Sequence, residues 1–156
     1  MMGDDFQILA QTQSFAMLTL DGSSLLVPQS QVLALEPVMD LRRASTGQDM
    51  VGTLRFQGRS APIFRLNDAL EKQQDLDAEH RFCVILDCRG TYFGLLCRQM
   101  QPVHRDQLKL SPIPECMRQA DMVFRALAIL DGAVLKLTNS LALAIYLGIM
   151  QEESYG

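Results

Sequence analysis

Histidine is almost missing from this chain: His80 and His104 are the two in 156 residues. General acid–base catalysis near neutral pH therefore has few groups to draw on. His80 ends an acidic linker, where exposure to solvent is expected, and His104 follows Pro102-Val103 as a strand-end surface residue. The chain also lacks a Gly-x-Ser-x-Gly elbow, a glycine-rich phosphate loop ending in Lys-Ser or Lys-Thr, a His-Glu-x-x-His helix and a Rossmann glycine pattern. Four cysteines stand at 83, 88, 97 and 116 with no Cys-x-x-Cys pair among them, which argues against a structural zinc site. Cys97 lies beside Arg98, and its simplest reading is a strand cysteine next to an exposed arginine. No catalytic residue, metal site or cofactor is expected.

A basic excess is missing too. Lys and Arg number 14 against 18 Asp and Glu, giving a formal charge of -4 and a pI near 5.1. Sequence-independent nucleic-acid binding needs a cationic face to displace counterions from phosphates, so that class is not favoured. The first residues include Asp4 and Asp5 and show no basic region leading into an apolar run, so a cytoplasmic chain with four free thiols is expected. The longest apolar run, residues 141–150, is about half the roughly twenty residues of a membrane helix. It reads as core or interface, without direct membrane insertion.

What is present is a globular composition, 48% hydrophobic and 21% charged, punctuated by glycine turns. Phe15 to Leu20 and Leu25 to Pro28 flank Asp21-Gly22; Phe82 to Asp87 and Thr91 to Leu96 flank Arg89-Gly90; Met122 to Leu130 and Ala133 to Leu137 flank Asp131-Gly132. Repeated short strands with such turns predict an all-β sandwich or barrel. On a shared strand, Cys83 and Cys88 would point to opposite faces. A short turn of helix is expected from Leu66 to Lys72, leading into a polar linker over residues 72–79. Residues 141–150 alternate like a strand but carry Ala142 and Ala144; a helix is expected there, capped by Asn139 or Ser140.

The most informative stretch runs from Gly52 to Leu66, Gly-Thr-Leu-Arg-Phe-Gln-Gly-Arg-Ser-Ala-Pro-Ile-Phe-Arg-Leu. Gly58 supplies the positive φ of a tight turn, and Pro62, lacking an N–H, suits a sheet edge or bulge. This run resembles the signature hairpin of the CheW-like adaptor domain. The likeness continues in order over roughly residues 14 to 148: through Leu25 to Leu35, through the strand pair Phe82–Leu86 and Thr91–Leu96 with Gly94, and through Val123 to Asn139. The resemblance implies two small SH3-like five-stranded β-barrels sharing one hydrophobic core, with strands from both ends of the chain mixed into them and a short C-terminal helix. Residues 1–13 would be an N-terminal extension and 14–150 the domain.

The function implied is that of a non-enzymatic adaptor, coupling the cytoplasmic tips of chemoreceptors to the regulatory domain of a CheA-type histidine kinase. Contacts are expected around Val32, Leu35, Gly52, Gln57, Gly58, Arg59 and Pro62. The chain departs from the family pattern at Gln57, where an arginine is usual, at Ala34 for a glutamate, at Arg98 for an aspartate and at Ala126 for a glycine. Losing the guanidinium at 57 removes charge and bidentate geometry, and the departures at Gln57, Ala34 and Arg98 together point to a less common array, such as one controlling pili or second messengers. A loop rich in proline, Ser111 to Cys116, is expected between the barrels, with Met117 and Met122 as apolar anchors. The alternative of another class is a small-molecule sensor whose pocket lies between the barrels.

Overall fold

The computed structural model describes residues 2–43, 49–75, 79–117 and 123–150. The chain opens with a helix, α1 (Met2–Gln11), then forms β1 (Ser14–Thr19), β2 (Ser24–Pro28), β3 (Val32–Pro37), β4 (Arg42–Arg43), β5 (Gly52–Phe56) and β6 (Arg59–Leu66). It continues through β7 (Lys72–Gln73), β8 (Phe82–Cys88), β9 (Thr91–Cys97), β10 (Gln99–His104), β11 (Lys109–Pro112), β12 (Ala126–Leu130) and β13 (Ala133–Leu137). A second helix, α2 (Ser140–Tyr146), follows.

Two curled sheets result. Sheet one has the order β10-β1-β2-β13-β12-β11, and sheet two β3-β8-β9-β6-β5-β4, with β7 added on β6. Where five strands per barrel were expected, sheet one has six and sheet two, with β7, has seven. Sheet one draws on both ends of the chain, because β13 pairs in parallel with β2 through Lys136 opposite Leu25 and Leu137 opposite Leu26. Sheet two is built wholly from the middle of the chain, β3 to β9, and contains its own parallel junction between β6 and β9. Prolines mark the edges: Pro102 on β10, Pro112 on β11 and Pro37 at the end of β3. Without an N–H to offer, they discourage further strand pairing.

The side-chain period of two explains the packing. On β8, Val84, Leu86 and Cys88 face the space between the sheets, while Cys83 and Ile85 face the interior of sheet two. The two cysteines thus take opposite faces, as their spacing predicts. On β9, Phe93, Leu95 and Cys97 point between the sheets and Leu96 inward; on β2, Leu25 and Val27 point between them and Leu26 into sheet one. Strands buried on both faces read as continuous apolar runs, and these do. Leu143 and Ala144 of α2, with Leu147 just after it, complete the shared core.

The turns divide by chemistry. Gln57-Gly58, Arg89-Gly90 and Asp131-Gly132 each have two positive φ values (51 and 77, 53 and 86, 50 and 84°), the type I′ pattern that matches strand twist. Asp21-Gly22 is different: the turn closes by Leu20 N–H to Ser23 O at 3.0 Å, and the amides of Gly22 and Ser23 donate to Asp68 Oδ1 at 2.6 and 2.9 Å. Those bonds hold the Asp68 carboxyl below its ordinary value, the Gly22 amide contributing most.

Some expectations need correction. Leu66 to Lys72 is not helical, because Asn67 Oδ1 takes the amides of Ala69 and Glu71, both at 2.9 Å, and Leu70 turns to φ 63°. A side chain that bonds its own backbone competes with helix in this way. Within the N-terminal extension, Leu9 of α1 is buried beside Phe15, Val103 and Leu137. The helix after β13 forms as expected, and of its two candidate caps Asn139 serves, accepting the Ala142 amide at 2.8 Å. Met122 lies outside the described residues.

Candidate functional site

Five of the seven expected contact residues lie on the β5–β6 hairpin. Gln57 and Gly58 form its exposed tip. Arg59 is exposed as well, but it does not extend freely: its guanidinium lies 4.7 Å from the centre of the Tyr92 ring, and its Nη1 donates to the Gly90 carbonyl. Phe56 packs edge-on against the other side of that cluster, 5.8 Å from Tyr92 between ring centres. The tips of the β5–β6 and β8–β9 hairpins are thereby tied into one surface by a cation–π contact and a charge-assisted hydrogen bond. Neither Tyr92 nor Gly90 is among the contact residues named from sequence, because nothing in the linear order brings the second hairpin beside the first.

Pro62 stands opposite Thr53 of β5, and the parallel pairing of β6 to β9 starts only at Ile63. Although β6 is an interior strand, the proline occupies its last position before a second neighbour arrives, where an absent N–H leaves no ladder bond unmade. Gly52 is buried and has a backbone reason for being glycine: a Cβ there would come within 2.3 Å of the Arg42 carbonyl oxygen. It supports the hairpin from within and offers no contact surface of its own.

Val32 and Leu35 belong to β3, at the other end of the hydrogen-bonded order of sheet two. A register shift between Val32 and Ala34 re-aims the strand, so Val32 packs on the shared core and Ala34 on the interior of sheet two. The curl of the sheet brings these ends near each other: Ala34, Val38 and Leu41 pack against the same cluster as Val51 and Leu54. On β3 Leu35 is 38% exposed and Leu33 40%, and Met39, in the turn that follows, is 83% exposed. Period two from Leu35 would have found Leu33. The solvent-facing Met39 follows from the short helical turn Val38–Asp40, which carried no sequence signal.

The chemical candidates are silent. Cys97 is fully buried and burial pushes its thiol up to about 12, the opposite of an activated nucleophile; Cys83 is pushed up to about 12 for the same reason. His104 Nδ1 accepts the Asp106 amide at 3.2 Å, capping a short turn. His80 corrects its expected exposure: it is 1% exposed, with Nε2 2.9 Å from Asp21 Oδ1. Asp21 also meets the buried Arg65 at 3.3 Å, whose Nη1 reaches Asp75 at 2.9 Å. Burial opposes the Arg65 charge, and the two carboxylates outweigh it, raising the guanidinium above its ordinary value. This cluster ties Asp75 of the polar linker, and His80 just after it, to the β1–β2 turn.

At the positions of departure, Arg98 Nη2 pairs with Glu79 at 2.7 Å, and Ala126 fills a fully buried place inside sheet one.

With this architecture in place, the comparisons with known proteins agree. The family model of the CheW-like domain matches residues 14–144. The chain belongs to the CheW-like domain family. Among solved structures, the CheW-like fold is shared with the scaffolding protein TtCheW from Thermoanaerobacter tengcongensis at a TM-score of 0.61 and 13% identity, over 81% of this chain and 88% of that one. A sequence comparison with curated proteins finds no match. Among the described residues, no helix is long and apolar enough to cross a membrane.

Proposed function

We propose that this CheW-like protein is a non-enzymatic, cytoplasmic scaffold of a chemosensory system, bridging the regulatory domain of a CheA-type histidine kinase to the cytoplasmic tip of a chemoreceptor. Family membership supports the scaffold role, and the β5–β6 hairpin supports the placement of the contact. Its type I′ tip is rigid, exposed and braced by Tyr92, so little conformational freedom is lost when a partner docks. A bridge transmits a signal only if it contacts two partner states unequally. Arg59 and Gln57 at the tip, with Leu33 and Leu35 on β3 and Met39 in the turn after it, provide a polar rim and apolar anchors of the kind partners recognise. The absence of a guanidinium at 57 fits service in a less common array, such as one governing pili or second messengers. The sensor alternative gains no support from the space between the sheets, which Leu18, Leu20, Leu86, Phe93 and Leu95 fill with fully buried side chains.

Arg59→Glu tests the contact surface. It gives up the stack on Tyr92, so a stability loss of about 1 kcal/mol or less is expected. Binding to the kinase regulatory domain or receptor tip should weaken several-fold, more at low ionic strength than at high. Unchanged binding of both partners at both salt concentrations would remove the hairpin from the interface.

A further inference from the structure

The outer face of the corner formed by β4, β5 and β6 holds a feature that neither the fold nor the scaffold role uses. A polar cavity of about 160 Å³ is lined by Asp40, Arg42, Thr53, Arg55 and Ser60. Its volume is well above the roughly 10–15 Å³ needed to admit one water, leaving room for a small oxyanion. The sheet register explains how these residues meet. Arg42 stands opposite Thr53, and Arg55 opposite Ser60; Thr53 and Arg55 flank the inward-facing Leu54, so all four project outward. Arg42 and Arg55 are then diagonal neighbours, about 7–8 Å apart at the backbone, close enough for two long guanidiniums to converge on one anion.

Charge makes the arrangement unusual. Like charges placed side by side on a sheet are unfavourable without a counterion. Arg65, Lys72 and Arg98 each have a carboxylate partner, whereas among the described residues Arg42 and Arg55 have no ion pair, and residues 44–48, which follow β4, include no Asp or Glu. Asp40 is the sole acid of the lining. An ionised carboxylate only accepts hydrogen bonds, so it would repel a fully deprotonated anion and welcome one that still carries a proton.

We infer that this corner binds a free, protonated tetrahedral oxyanion, with hydrogenphosphate as its representative. Arg42 and Arg55 hold two of its oxygens, the Thr53 and Ser60 hydroxyls donate to the others, and the P–OH donates to Asp40. Phosphate retains a P–OH throughout the neutral range, sulfate has none, and a phosphomonoester dianion has none. The pocket therefore selects free phosphate over both sulfate and an esterified phosphate such as phosphoserine.

The test is titration of the whole chain with sodium phosphate, sodium sulfate and phosphoserine at pH 7.5 and constant ionic strength, followed by amide chemical shifts and calorimetry. Saturable phosphate binding is expected, with shifts centred on residues 40–43 and 53–60. Arg42→Gln and Arg55→Gln should each weaken it about tenfold or more, the value of a lost charge-assisted hydrogen bond. Arg43→Gln, whose side chain projects from the other face of β4, should bind as wild type does. Wild type should prefer phosphate to sulfate and phosphoserine, and Asp40→Asn should abolish that preference. If an arginine variant does not fold, Ser60→Ala and Asp40→Asn carry the same comparison. Absence of saturable binding, phosphate affinity unchanged in both arginine variants, or sulfate or phosphoserine binding as tightly as phosphate to wild type would each overturn the inference.

Discussion

Phe93→Ala should destabilise the protein by about 3–5 kcal/mol and should lower the melting of both sheets together. Phe93 is fully buried on β9, among side chains contributed by sheet one (Ala16, Leu18, Leu25, Val27), by sheet two (Phe64, Val84, Leu86, Leu95) and by α2 (Leu143, Ala144). Truncation removes most of a large apolar group and leaves a cavity between partners held by three elements, so little relaxation can refill it. Against a typical stability of about 5–15 kcal/mol, that loss is large. Urea unfolding followed by far-ultraviolet circular dichroism and by tyrosine fluorescence should give one coincident transition, shifted to lower denaturant. A change below about 1 kcal/mol, or two separated transitions, would show that the sheets do not share a core.

Gly52→Val should cost about 3 kcal/mol or somewhat more, at the upper end of the overpacking range. The added Cβ would lie 2.3 Å from the Arg42 oxygen, 3.0 Å from the Arg42 carbonyl carbon and 3.1 Å from Leu41 Cγ. The obstacle is mostly backbone, which cannot rotate away, so β4 must move off β5. Gly58→Ala gives the contrast. Nothing lies within 4 Å of a Cβ at Gly58, and only its φ of 77° resists substitution, so a loss of about 1 kcal/mol is expected. Thermal melts of the two variants side by side separate steric conflict from backbone preference. Equal losses would mean that the close approach of β4 is not what fixes glycine at 52.

The contrast also shows why some of the fold was legible in the sequence. Three turns of x-Gly carried their own conformational signal, and each became a type I′ hairpin at the expected place. The doubly buried strands announced themselves as apolar runs. Period two alone sends Cys83 and Cys88 to opposite faces. What stayed hidden depends on long-range contact. His80 looked exposed because its neighbours in sequence are polar, and it is buried because Asp21, 59 positions earlier, lies against it. Leu66 to Lys72 looked helical until the Asn67 side chain captured its own loop. The brace of Arg59 on Tyr92 requires β6 and β9 to be adjacent in parallel, a pairing that no local pattern encodes. The Arg42–Arg55 diagonal was equally invisible, because it arises from the register of three strands.

The most direct test of the scaffold role is a bridging measurement. Purified kinase regulatory domain and receptor-tip fragment are run by analytical ultracentrifugation, separately and together, with and without this protein at micromolar concentration. The bridging role predicts a faster-sedimenting species containing all three components that forms only when this protein is present and is less populated when Arg59→Glu replaces it. Binding to neither fragment, or to one of them with no three-component species, would contradict it.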